Sequence, residues 1–111
     1  MFRTPVDYIT DELAGLISIK EALLSMGFQP AEYSCQSYPD EEEWGTAFFV
    51  LDDTNVKITA TRKHGAVTSK QITVNGYMVW QWPDPINPNR REVINFIKKY
   101  HKAQSKDKKE K

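Results

Sequence analysis

One cysteine and two histidines, Cys35, His64 and His101, are all that this 111-residue chain offers for soft-metal or nucleophilic chemistry. A thiolate nucleophile needs a base within hydrogen-bond reach and a third group to orient that base. Cys35 falls on the inward phase of an alternating stretch beside Ala31 and Tyr33, where a lone cysteine behaves as a small apolar side chain. His64 sits in a turn before Gly65, and His101 lies among lysines facing solvent. The three are too widely spaced for any zinc pattern, and one cysteine excludes a disulfide framework.

Carboxylates offer more atoms but no better geometry. Asp40-Glu41-Glu42-Glu43 could present oxygens to a hard cation, yet consecutive acids do not converge on one ion and read as a solvated turn. Metal-dependent nucleases place an acid at one strand end, then acid-x-lysine on the next strand. Asp52 and Asp53 suit the first position and Lys63 the last, but Thr61 stands where the second acid must be. Two carboxylates are then missing as a pair to hold the metal that activates water. No phosphate-cradling glycine pattern occurs, the five glycines being scattered at 15, 27, 45, 65 and 76. The chain is therefore expected to hold no catalytic residues, no metal and no cofactor, and not to be an enzyme.

Two groups of residues suit binding. Met78, Trp80 and Trp82 share one strand phase and form a candidate protein-binding stripe. Arg62, Lys63, Arg90, Arg91, Lys98, Lys99 and Lys102, with His64 and Lys70 near the first pair, form a candidate nucleic-acid surface. The charge is uneven along the chain. Residues 1–55 carry a net −9, residues 56–86 a net +3 and residues 87–111 a net +6, summing to zero. Such a separation gives a basic face, an acidic face, or two halves that attract each other.

Elements to position these groups follow from local patterning. Thr4-Pro5 caps a helix whose apolar stripe is Val6, Ile9, Leu13, Leu16, Ile17, Leu23 and Leu24, with a break possible near Thr10. Gly27 ends it, and Phe28 folds back on the last turn. Strands are predicted over 31–38, 44–51, 56–62, 67–74 and from Tyr77 toward Trp82. Residues 44–51 are apolar on both phases, which suits an interior strand covered above and below. Asn75-Gly76 is a two-residue hairpin turn, so Val74 should face Tyr77, Thr73 Met78, Ile72 Val79 and Gln71 Trp80. Pro83–Pro88 is an extended connector, and Asn87-Pro88 opens a last helix with the stripe Val93, Phe96, Ile97 and Tyr100.

The expected fold is α+β, in the order α-β-β-β-β-β-α. A mostly antiparallel sheet of four or five strands packs with N- and C-terminal helices. Residues 1–103 form the single domain and 104–111 a disordered lysine-rich tail. Neither a membrane-length apolar run nor a signal peptide is visible, so the expected compartment is the cytoplasm. The expected function is a small regulatory or adaptor-type module. It would bind a protein partner or itself through Met78, Trp80 and Trp82, with help from Asp40–Glu43. Nucleic-acid binding is the alternative, and the decisive quantity is the exposure of the tryptophans.

Overall fold

The computed structural model describes residues 5–37, 42–82 and 90–109. Pro5 opens α1 (Pro5–Asp7), and the chain continues as a wider π-helical turn over Tyr8–Leu13. Here the Ala14 amide donates to the Ile9 carbonyl at 2.9 Å, five residues back. The helical stretch breaks at Ala14–Leu16 and resumes as α2 (Ile17–Ser25). The break thus falls four residues beyond the expected one. α2 ends as predicted. Gly27 takes φ 104°, open to glycine without a side-chain clash, and the Phe28 amide donates back to the Leu23 carbonyl at 3.0 Å. Phe28 is buried by that turn.

Five antiparallel strands follow in one sheet of order β1-β2-β3-β4-β5: β1 (Gln29–Ser37), β2 (Glu42–Leu51), β3 (Thr54–Lys63), β4 (Ala66–Val74) and β5 (Tyr77–Trp82). α3 (Arg90–Lys109) closes the described chain, its backbone running into the residues that composition assigns to a tail. The molecule is α+β, in the expected order. The predicted connector at Pro83–Pro88, the Thr4 and Asn87 caps and part of the acidic turn at Pro39–Glu41 lie outside the described residues. Glu42 and Glu43 belong to β2 rather than to a turn.

The core forms on one face of the sheet. Gly45, Ala47 and Phe49 of β2, Val56, Ile58 and Ala60 of β3, and Ile72 and Val74 of β4 share that face through direct register. Apart from the glycine they join one buried cluster with Ile9, Leu13, Ile19, Leu23, Val93 and Ile97 from the helical segments. N- and C-terminal helices therefore cover the same side. The π-helical turn lies closest: a Cβ on Gly45 would sit 2.8 Å from Ile9 Cγ1 and 3.0 Å from Leu13 Cδ2.

The hairpin at Asn75-Gly76 starts in the predicted register and then leaves it. Val74 faces Tyr77 and Thr73 faces Met78, but Ile72 faces Trp80, Gln71 faces Gln81 and Lys70 faces Trp82. Val79 is the extra residue of a bulge, which reverses the phase of everything after it. Trp80 consequently lies on the core face with Ile72 and is only 6% exposed. A ladder hydrogen bond lost at the bulge costs about 1 kcal/mol. Burying an indole of ~200 Å² is worth several kcal/mol at ~25 cal/mol/Å², so the bulge wins.

Candidate interaction face

No described element covers the opposite face of the sheet. Trp44, Thr46, Phe48 and Val50 of β2 alternate with the core residues of that strand, and all are partly exposed. Register places Trp44 beside Thr61, Thr46 beside Thr59 and Phe48 beside Lys57. β4 adds Ser69, Gln71 and the buried Thr73, and β5 adds Met78 and Gln81. The Thr46 and Thr59 hydroxyls meet at 3.2 Å, which holds the two central strands' polar atoms to each other. Between the ends of this face the charged residues among the described positions are Lys57 and, on the edge strand in phase with Ser34 and Gln36, Glu32, while Glu42 and Lys63 pair at one end at 3.6 Å. An apolar line on β2 within a threonine-rich, nearly uncharged surface is the composition of an interface centre.

Of the predicted stripe, only Met78 lies on this face. Trp80 is corrected to a core residue by the bulge. Trp82, 41% exposed, is at the margin of the helix-covered face, where Lys70 Nζ stands 5.7 Å from its ring centroid. Residues 44–51 are likewise corrected: β2 is interior in the sheet but covered on one face. Its outward Trp44, Phe48 and Val50 are the residues that sequence reasoning placed beneath a second layer. Their both-phase apolarity was the visible signal; two amphipathic helices are only enough to cover one side.

The candidate basic surface is divided. Arg62 donates to Glu43 and, at 3.1 Å, to the Tyr8 hydroxyl, which itself donates to Glu43. Burial pushes the Tyr8 hydroxyl's pKa up, aided by Glu43. Burial alone would raise the Glu43 carboxyl, but the bonds from Tyr8 and Arg62 outweigh it and hold the pKa below its ordinary value. Arg62 is held above its ordinary value chiefly by its bond to Glu43. This network pins the π-helical turn to the end of the sheet and turns the acid-rich and base-rich parts of the chain toward each other.

Lys98, Lys99 and Lys102 are exposed on α3, as is Arg91. The far part of α3 is anchored at the opposite end of the sheet. Asn75 Nδ2 donates to the Tyr100 hydroxyl at 3.2 Å and to the Asp53 carbonyl at 3.1 Å, while its Oδ1 accepts the Asn55 amide at 2.7 Å. His101 Nδ1 lies 3.2 Å from the Thr54 hydroxyl. Thr54 and Arg62 are separated by eight strand steps, about 26 Å at ~3.3 Å each. Arg62 and Lys63 therefore do not share one patch with the α3 lysines.

His101 is corrected from a solvent-facing residue to a partly buried one. Its ring packs 6.1 Å from Phe28, and its Nε2 is 3.7 Å from Asp52. Cys35 is corrected as well: it keeps the predicted phase, opposite Gly45, but is exposed because β1 extends past the helical cover. His64 is exposed in the β3–β4 turn. Among the described residues no group of three or more His, Cys, Asp or Glu could hold a metal ion, and no helix is long and apolar enough to cross a membrane. Compared with models of known families, with curated proteins and with solved structures, the chain matches none.

Proposed function

We propose that this protein is a small non-catalytic interaction module of regulatory or adaptor type that engages a protein partner through the uncovered face of its sheet. The observation that carries the reading is the position of both helical layers on one side. They leave Trp44, Phe48, Val50 and Met78 on a face that carries few charges between its ends, Lys57 and, on the edge strand, Glu32. Charge-poor, aromatic surfaces of this kind are where binding energy concentrates in protein interfaces. A sheet face also holds its side chains on a rigid frame, so little conformational freedom is lost on docking.

The test compares the tagged wild-type chain with Phe48→Glu and Trp82→Ala in quantitative affinity capture from its native cells. A partner retained by the wild type and Trp82→Ala but lost with Phe48→Glu, at an unchanged melting temperature, supports the face. The same bound set for all three chains sinks it. Nucleic-acid binding is distinguished by salt, since phosphate contacts weaken steeply as ionic strength rises. A DNA or RNA complex at low salt that Lys98→Glu and Lys102→Glu abolish would move the assignment to α3.

A further inference from the structure

The sheet has two edges, and they are not alike. β5 is six residues long and carries the Val79 bulge, a feature that discourages pairing by another chain. β1 is nine residues long, and residues 29–36 are all exposed. Its protective features sit at its start: Pro30, the irregularity between Pro30 and Tyr33, and Glu32. The remaining stretch, Tyr33–Ser37, is regular, uncharged and free of proline.

The backbone direction along that stretch can be traced from the hairpins. The Asn75 amide donates to the Asn55 carbonyl, so Asn55 turns its peptide groups toward β4 and away from β2. Its partner Val50 then turns toward β1, and alternation along the unbroken β2–β3 register gives the same direction to Thr46 and Trp44. Ser34 and Gln36, which pair with these two, bond inward. Tyr33, Cys35 and Ser37 accordingly direct their backbone N–H and C=O groups outward, where no further strand among the described residues pairs with β1.

We propose that two copies of this chain associate through β1, antiparallel about a two-fold axis at Cys35, joining their sheets into one continuous sheet. Cys35 is the midpoint of the regular stretch, so this register uses all of it. Tyr33 faces Ser37 of the partner subunit, and Cys35 meets the partner subunit's Cys35 in a hydrogen-bonded pair. Shifting the register toward Glu32 runs the pairing into the irregular segment and loses bonds. No charges oppose each other in the paired stretch, and an isologous contact closes on itself instead of propagating. Tyr33, 52% exposed and on the helix-covered side of its strand, gains cover from the neighbouring copy. This contact uses the edge and not the Trp44–Phe48 face, so each can fail without the other.

Sedimentation equilibrium under reducing conditions should give twice the 12.8 kDa chain mass. Paired Cα atoms at such a position are about 5.5 Å apart, within the ~4.4–6.8 Å that a disulfide spans. Added copper-phenanthroline and dioxygen should therefore take two electrons and two protons from the thiol pair and trap the dimer covalently. Cys35→Ser should keep the dimer with or without a reducing agent and lose the trapping. Cys35→Lys and Cys35→Glu, at an exposed position, should each fold by circular dichroism and sediment as monomers, while an equal mixture regains the dimer through opposite charges on the axis. Phe48→Glu should remain dimeric. A wild type that stays monomeric at millimolar concentration, a dimer that persists in both charged variants, or a mixture that does not recover would overturn the proposal.

Discussion

Lys20 shows how a single charged side chain is held inside a small core. Only 7% exposed, it donates to Asp7 at 3.1 Å and to Asp11 at 2.8 Å, tying α2 back to the first helical turns across the break at Ala14–Leu16. Burial by itself lowers the ammonium's pKa, but the bonds to Asp11 and Asp7 outweigh it and raise the value above 10.5. The resulting stabilisation is complete below the unfolded value and is lost as pH rises through the higher folded one. Glu43 has the opposite sign: its pKa is held below 4.5, so its contribution exists above that value and disappears as pH falls through the depressed one. Lys20→Met should cost about 2 kcal/mol near neutrality, because two partly buried carboxylates lose a charged donor. For a domain of this size that is a fall of roughly 10 °C in melting temperature. Urea titrations across pH should show Lys20→Met with a shallower loss of stability above pH 10.5 than the wild type, the part due to Tyr8 remaining, and Glu43→Gln with a shallower loss below pH 4.5. An unaltered alkaline limb in Lys20→Met would show that the ion pairs contribute nothing.

Single elements here are specified by how closely they approach one another. The π-helical turn rests directly on β2 because Gly45 has no side chain, and its backbone conformation is one alanine also accepts. Gly45→Ala therefore isolates the close approach: overpacking against Ile9 and Leu13 should cost about 1–3 kcal/mol. The change should appear in the denaturation midpoint with the slope unchanged. β5 makes the complementary point. Trp80→Ala should destabilise by about 3–5 kcal/mol as a core truncation, whereas Trp82→Ala should change the melting temperature only slightly. Equal losses would mean that the bulge at Val79 is misplaced. What was legible beforehand follows the same division. The Gly27 terminator and the Asn75-Gly76 turn are encoded by neighbouring residues, so element order and strand phase for β3 and β4 could be read directly. The Val79 bulge could not, since the helical residues that share the buried cluster with Trp80 come from other parts of the chain. One slipped residue moved Trp80 and Trp82 off the candidate face and left Met78. Trp44, Phe48 and Val50 escaped notice because an apolar strand says that two faces want cover, not how many helices are there to supply it.

The described residues form two layers, helices on one face of the sheet and no described element on the other, and adjacent residues of β3 report on the two sides independently. Ile58 is fully buried between Ala47 and Ile72, while Thr59, next in the chain, stands on the opposite face beside Thr46 and Gln71. If the helices supply the only packed layer, Ile58→Ala should cost about 2–5 kcal/mol. Thr59→Val, which exchanges a partly exposed hydroxyl for a methyl on a strand that favours branched side chains, should stay within about 0.5 kcal/mol of the wild type. Chemical denaturation of the two variants reads this asymmetry without any partner present. Binding at the open face should then reverse the insensitivity of the Thr59 site: a ligand that occupies the folded state raises the midpoint by mass action, and Thr59→Lys should abolish that rise. A Thr59→Val penalty comparable to that of Ile58→Ala, measured on the isolated chain, would mean that the face is already packed, and the interaction surface would have to be sought on the helical side.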